Sequence, residues 1–298
     1  MPAKPKTIAP LVSIIIVNYN GIAYTRGAVL SIRRHSPSSE IIVVDNCSTD
    51  GSVEALKDEL SPLTVLSMKK NKGFGYGCNR GAEAATGKYL FFLNNDALIS
   101  ENTPNILASF LETHPTVAAC GPRLMNHDGS FQLSIGLDPS LFSEWTIRRW
   151  QRQSNAGELL SNINRKFADK PVDWITGAAL MVRRDVFERI GGFDESFFMY
   201  FEDADLCRRI RNLGLEVLYI PQTSLTHLGG RSYGNTNKKI DYEYRRSQLR
   251  IYDKSQPLFA RLVIRLYLLA KFILKLSNSS ERQLSASVIA LLFRDQGR

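Results

Sequence analysis

Apolar and polar positions fall in blocks along this chain, and the blocks set its elements. LVSIIIVNYN (11–20) is a β-branched apolar run that stops at polar residues, and it predicts a strand buried on both faces. GIAYTRGAVLSIRRH (21–35) predicts a helix and EIIVVDNCSTDGS (40–52) a short buried strand closed by turn residues. SVEALKDEL (52–60) predicts a second helix and LTVLSM (63–68) a third strand. KGFGYGCNRGAEAATG (72–87) predicts a glycine-rich turn that enters a helix. KYLFFLNNDA (88–97) predicts a fourth strand, ENTPNILASFLETH a helix, and TVAACG a fifth strand. This alternation predicts an α/β fold with a mainly parallel, Rossmann-like central sheet flanked by helices.

The pattern weakens from about 125 to 170 and resumes at DWITGAALMVRR (173–184), read as one strand. Helices are expected around FMYFEDADLCRR (198–209), and LEVLYIP (215–221) reads as a late strand. Beyond about 240 the chain turns helical and basic, so residues 1–240 are read as the main domain and 241–298 as a C-terminal helical extension.

The bulk numbers change this picture little. The chain has 298 residues, 44% hydrophobic and 22% charged, an ordinary globular composition with room for a substantial core. Its four cysteines are widely spaced without a C-x-x-C pair, so reduced thiols in a cytoplasmic protein are expected. MPAKPKTIAP lacks an apolar core, so no signal peptide is expected, and no run of 18 uncharged apolar residues predicts a spanning helix. The net charge of +9 suits phosphorylated ligands, anionic lipid or nucleic acid. No nucleic-acid recognition motif accompanies it, so no nucleic-acid partner is expected.

Candidate chemistry sits where strands end. In open α/β sheets ligands bind beyond the carboxyl ends of the strands. Three strands end in Asn18-Tyr19-Asn20, Asp45-Asn46 and Asn94-Asn95-Asp96. Each alone is compatible with a turn or a helix cap, which is the reading given to Asp50; three together argue for a shared site. Gly73, Gly75, Gly77 and Gly81 fit neither the dinucleotide fingerprint nor the P-loop. They suit phosphate approach at a helix start or tight packing in a turn. Asp96 on a strand end suits a hard cation, Mg²⁺ or Mn²⁺, with His227 after the last strand as a second ligand or a structural residue. Glu202, Asp203 and Asp205 crowd behind aromatics. Asp205 can pair with Arg208 and Arg209 along a helix, and Glu202 and Asp203 can favour that helix's positive end or serve catalysis.

Taken in order, VSIIIVNYNG, IIVVDNCSTDGS, NKGFGYGCNRG, YLFFLNNDA, ITGAALMVRR, GGFDESFFMYFEDADLCRR and THLGG resemble the blocks of the inverting family 2 glycosyltransferases of the GT-A fold, over about residues 11–232. The flavour is similar to bacterial rhamnosyltransferases of polysaccharide assembly. The resemblance implies transfer of a sugar from a dTDP- or UDP-sugar, L-rhamnose by first choice, to a glycan or lipid-linked acceptor. It implies Asp45 as acceptor of the pyrimidine N–H, Asn18, Tyr19 and Asn46 around the nucleotide, and Gly73 and Asn79 in the loop and helix that close over it. The family's D-x-D metal motif falls on Asn94-Asn95-Asp96, a departure at Asn94. Ligation then rests on Asp96 and His227, with Asn94 and Asn95 toward the donor. Asp203 matches the catalytic base and Glu202 is its neighbour; consecutive helix residues do not share a face, so one of the two is expected to point at the reaction. The rival reading is a catalytically silent GT-A protein that binds nucleotide sugar or acts as a scaffold.

RLVIRLYLLAKFILKLS (261–277) lies beyond the resemblance. At 100° per residue its four basic residues, Arg261, Arg265, Lys271 and Lys275, share an arc of about 120°. This basic stripe is expected to face an anionic membrane, which would place the protein peripherally on the inner face of the cell membrane. A helix packed on the catalytic domain and a homo-oligomer contact are the alternatives, and SASVIALLF (285–293) is a second apolar helix.

Overall fold

The strand β1 (Val12–Asn18) is buried almost throughout, because its neighbours cover both faces. The computed structural model describes residues 11–155, 163, 166–168, 170–229 and 237–293. The N-terminal MPAKPKTIAP segment and the last residues of the C-terminal extension lie outside them. On one side β1 pairs in parallel with β2 (Glu40–Asp45), which pairs with β3 (Thr64–Ser67); on the other it pairs in parallel with β4 (Tyr89–Asn94). Helices α1 (Ile22–His35), α2 (Ser52–Glu59) and α3 (Phe74–Ala84) make the connections. Ile14 and Ile16 join Phe91 and Leu93 on one face, while Ile15 joins Leu90 and Phe92 on the other, as the strand's period of two requires.

The glycine-rich helix start is explained by packing. A Cβ on Gly81 would meet Ile15 at 2.4 Å, and one on Gly77 would meet Val17 at 2.8 Å, so α3 lies closer to the sheet than a larger residue allows. Gly73 precedes α3 at φ 104, and a Cβ there would fall 2.1 Å from the carbonyl oxygen of Phe198. That carbonyl accepts the N–H of Phe74 at 3.0 Å, which ties the start of α3 to the acidic segment.

Beyond β4 the sheet departs from the expected parallel order. KYLFFLNNDA is not one strand: β4 ends at Asn94, Asn95 and Asp96 turn, and β5 (Ala97–Ile99) begins a new pairing at the far edge. After α4 (Thr103–Thr113), β6 (Val117–Met125) does not take the place beside β4. That place belongs to β10 (Ala179–Arg183), antiparallel to both β4 and β6. The small strands β7 (Phe131–Gln132) and β8 (Ile135–Gly136) and helix α5 (Leu141–Asn155) fill the region where the pattern weakens. DWITGAALMVRR divides into β9 (Trp174–Ile175), paired with β8, and β10, because residues 176–178 bend toward the site. LEVLYIP is the first half of a longer strand, β11 (Glu216–His227). Its pairing with β6 shifts register between Ile220 and Ser224, where Pro221 has no N–H to give, and its end pairs antiparallel with β5. His227 therefore ends a strand rather than following one. The sheet is mixed, in the order β3-β2-β1-β4-β10-β6-β11-β5, with its β3–β2–β1–β4 half wholly parallel.

Helix α6 (Arg184–Arg189) leads to α7 (Glu202–Arg211), which carries the acids. Asp205 pairs with Arg209 at 2.7 Å and with Lys254, while Arg208 donates instead to the carbonyl of Ser255. Asp50 accepts the N–H of Ser52 at 3.2 Å, a local turn bond at the start of α2. Helices α8 (Asn237–Ser255), α9 (Leu258–Lys275) and α10 (Arg282–Leu292) build a third core that takes in Phe197.

The basic stripe of α9 does not face outward as expected. Arg265 pairs with Asp253 at 2.7 Å, Lys275 with Glu281 at 2.7 Å, and Arg261 donates to the carbonyl of Gln256. The stripe shares its half of the helix with the buried Ala260, Ile264, Leu268 and Phe272, and the solvent side is apolar.

Candidate functional site

A cavity of about 740 Å³ opens across the carboxyl ends of β1, β2 and β4. Eight of the twelve residues expected at the site line it: Tyr19, Asn46, Asn94, Asn95, Asp96, Glu202, Asp203 and His227. Asn18, Asp45, Gly73 and Asn79 do not.

The reasons are local. Asn18 is fully buried: its amide donates to Asp45 at 2.8 Å and to Ser48 at 3.1 Å, and its carbonyl accepts the Thr25 hydroxyl at 2.7 Å. It braces β1 against β2 and α1. Asp45 is 1% exposed, and its second oxygen accepts the N–H of Ser48 at 2.9 Å. It stands directly opposite Asn18 in the parallel register, and both are spent on each other. The next residue on each strand end, Tyr19 and Asn46, turns toward the cavity instead. Asn46 donates to Asn71 and to the carbonyl of Gly73, both at 2.9 Å, which leaves its buried Oδ1 without a hydrogen-bond partner among the described residues. A buried orphan acceptor is costly unless a ligand satisfies it. Asn79 bonds the backbone of Phe193 in both directions, accepting at 2.8 Å and donating at 2.9 Å, and so holds the loop before the acids.

The end of β4 and the end of β11 meet at a polar cluster. His227 Nδ1 lies 2.7 Å from Gln132 Oε1 on β7, a bond that puts the proton on Nδ1 and the lone pair on Nε2. Nε2 then faces Asp96 Oδ1 at 3.2 Å and accepts from the Asn94 amide at 3.1 Å. A carboxylate oxygen and an imidazole lone pair at that separation match two adjacent ligands of an octahedral ion bound at about 2.1 Å. The Gln132 contact is the outer bond that orients a ligating imidazole. No group of three or more His, Cys, Asp or Glu side chains suited to a metal occurs among the described residues. Asp96 and His227 thus fit a hard cation that takes its remaining oxygens from a diphosphate and water.

The acids enter from the other side, at the N-terminus of α7. The preceding Tyr200 and Phe201 both adopt left-handed backbone, φ 66 and 67, which swings the first turn of the helix into the cavity. Both acids line the cavity from the first turn of the helix. Asp203 accepts the N–H of Gly177 at 2.9 Å and of Ala204 at 2.8 Å. Burial raises its pKa, and these backbone bonds partly offset the rise. Glu202 is 6% exposed, and its Oε2 has no partner among the described residues. Burial first, then the adjacent Asp203 charge, hold its carboxyl well above the usual carboxylate range.

That shift has a sign in stability. A carboxyl with a raised folded pKa binds more protons folded than unfolded, so its contribution declines as pH rises above the unfolded value. Glu202→Gln should therefore raise Tm at neutral pH by about 2–4 °C for each kcal/mol removed. Below the ordinary carboxyl pKa of 4.5 it should change little. Calorimetry of both proteins across pH checks this; an equal shift at every pH would rule out the ionisation as its cause.

Sequence reasoning did not find Phe74, Trp174, Thr176 and Tyr244, or the two Lys/Arg side chains of the lining, Arg245 and Lys271. Arg245 and Lys271 come from α8 and α9, beyond the recognised blocks. The aromatic-basic run of α8, YEYRRSQLR, was the available signal.

The profile of "Glycosyl transferase family 2" matches residues 13–191. The chain belongs to glycosyl transferase family 2. A second profile, "N-terminal domain of galactosyltransferase", matches 158–229 and spans both acids and His227. The glycosyltransferase is 28% identical over 227 residues to the N-acetylglucosaminyl-diphospho-decaprenol L-rhamnosyltransferase of Mycobacterium tuberculosis, covering 70% of this chain and 72% of that one. It is 24% identical to the rhamnosyltransferase WbbL of Escherichia coli, covering 73% and 83%. Among solved structures, a Pyrobaculum calidifontis mannosyltransferase in complex with GDP-Man and Mn²⁺ superposes with a TM-score of 0.56 at 17% identity, covering 96% of this chain and 86% of that one. Staphylococcus aureus TarS residues 1–349 superposes at 0.54 and 16% identity, covering 94% and 79%. These likenesses show the GT-A fold. The glycosyltransferase is rhamnosyltransferase-like in sequence.

Proposed function

We propose that this glycosyltransferase moves a sugar, L-rhamnose from dTDP-rhamnose by first choice, onto a glycan or lipid-linked acceptor in cell-surface polysaccharide synthesis, with inversion at the anomeric carbon. The observation that carries the reading is one cavity lined by a cation-suited pair, Asp96 and His227, and by a half-buried carboxylate, Asp203. Residues 1–240 form the catalytic part and 241–298 the helical extension.

The orphan Oδ1 of Asn46 accepts the N–H of a pyrimidine base, and Tyr19 flanks the nucleotide. Asn94 and Asn95 face the donor. Asp96 and His227 would hold Mg²⁺ or Mn²⁺, which when bound offsets the charge of the departing nucleoside diphosphate. Asp203, aligned by the Gly177 and Ala204 N–H groups, takes the proton from the acceptor hydroxyl as that oxygen attacks the anomeric carbon. Attack opposite the leaving group inverts the centre. Burial makes Asp203 a stronger base than a solvated carboxylate. Burial and the Asp203 charge hold the Glu202 carboxyl well above the usual range, so Asp203 is the readier of the two to act as the base. Four free cysteines and the use of a nucleotide sugar fit a cytoplasmic site of action.

A thermal-shift panel of dTDP-, UDP- and GDP-sugars, each with Mg²⁺ or Mn²⁺, tests the reading. A true donor at 100 times its Kd should stabilise the fold by about 2.7 kcal/mol. Donor hydrolysis should appear with the same compound. If no nucleotide sugar raises Tm with either metal, the donor site proposed here is wrong.

A further inference from the structure

Helix α9 presents the wrong half to water for a soluble surface helix. Its inward half carries the buried Ala260, Ile264, Leu268 and Phe272 together with all four of its basic residues. Its outward half is a row of large apolar side chains: Leu258 is 69% exposed, Leu262 51%, Leu266 64%, Ile273 51% and Leu274 79%. A surface helix ordinarily turns its polar residues outward. The row from Leu258 to Leu274 runs about 24 Å at 1.5 Å per residue. At 100° per residue, Arg265 borders the apolar arc on one side and Lys271 on the other.

We propose that the outward face of α9 docks onto a lipid bilayer and sets the mouth of the cavity at headgroup level, where an acceptor carried on a lipid is presented. Two observations choose the bilayer over another occupant. Lys271 belongs both to this helix and to the cavity lining, so the docking face is continuous with the site. Helix α5, which also lines the cavity, exposes the apolar Phe142 at 73% and, beside it, Trp145 at 60%, an amphipathic ring of the kind that settles at a membrane–water boundary. No helix among the described residues is long and apolar enough to cross a membrane, so α9 lies in the surface rather than through it. The lipid-borne acceptor rests on the proposed transferase function; the docking face does not.

The test is flotation of the full chain with phosphatidylcholine vesicles and with vesicles containing phosphatidylglycerol. The wild type should float with both, and should stay bound at high salt because the apolar contact is unscreened. Leu262→Glu/Leu266→Glu/Leu274→Glu should lower the bound fraction by about 10-fold or more. It should leave donor hydrolysis unchanged, since none of the three lines the cavity. Leu266→Ser/Leu274→Ser should give a smaller loss of the same kind and keeps the test open if the Glu variant does not fold. A wild type that stays unbound on both vesicles overturns the proposal, as does a folded variant that floats like wild type. A wild type that is dimeric by sedimentation, becomes monomeric in the variant and ignores vesicles assigns the face to a second copy and overturns it too. Loss of donor hydrolysis in every form would instead count against the transferase reading, because flotation does not depend on it.

Discussion

Asp203→Asn is expected to lower transfer by about 10² to 10⁴-fold, the usual worth of a general base. Nucleotide-sugar affinity should stay nearly unchanged. The amide keeps an oxygen for the Gly177 or Ala204 N–H, so the first turn of α7 retains an anchor. What it loses is the ability to take a proton. The pH profile sharpens the test. Burial raises the Asp203 pKa, so wild-type kcat/KM should fall with acidification at a higher pH than a solvated carboxylate would give. The residual rate of the variant should lose that limb. A folded variant with the wild-type rate and profile would remove Asp203 from the role. Glu202→Gln should have the milder effect on rate, because Asp203 rather than Glu202 takes the proton.

Asp96→Ala is expected to weaken donor and metal together, with metal-dependent donor affinity falling by about 10 to 100-fold in titration calorimetry. Asp96 is the only carboxylate at the β4–β11 end of the cavity lining, and its exposure of 3% means that little else can fill its place. His227→Ala should act in the same direction with smaller size, since a neutral imidazole contributes no charge. Gln132→Leu tests the geometry behind both: without the Nδ1 contact at 2.7 Å the ring is no longer fixed with its lone pair toward Asp96. Unchanged donor affinity in Asp96→Ala at saturating metal would place the diphosphate elsewhere.

The parallel half of the sheet was legible because β1, β2 and β4 are buried apolar runs that stop at polar residues. The site was legible in outline for the same reason: the stops coincide with the strands' carboxyl ends. Which residue of each pair faces the ligand was not. Asp45 and Asn46 are adjacent and side chains alternate; the resemblance pointed to Asp45, while Asn46 is the one of the two that lines the cavity. The antiparallel insertion of β10 was hidden because local periodicity carries no information about a strand's partner. The end of β11 was hidden because Pro221 reads as a stop, whereas a register shift carries the strand past it. The four basic residues of α9 were correctly placed on one arc, but the arc alone does not say which way it turns. Asp253 and Glu281, outside the helix, decide that.

The loop ahead of the acids has a further consequence. Tyr200 and Phe201 hold unfavourable left-handed backbone, and both rings lean on Tyr244 of α8, at 5.4 and 5.3 Å between centroids. Ser247 donates to the carbonyl of Met199 at 2.7 Å, and Lys254 clasps both Asp194 and Asp205. The carboxylates thus owe their aim to one helix, α8, that lies outside the acidic segment. For anyone grafting parts between relatives, the natural unit of exchange is therefore not the tail. A chimera that trades residues beyond 240 without residues 193–205 would inherit a foreign splint, and its acids would point wherever that splint let them.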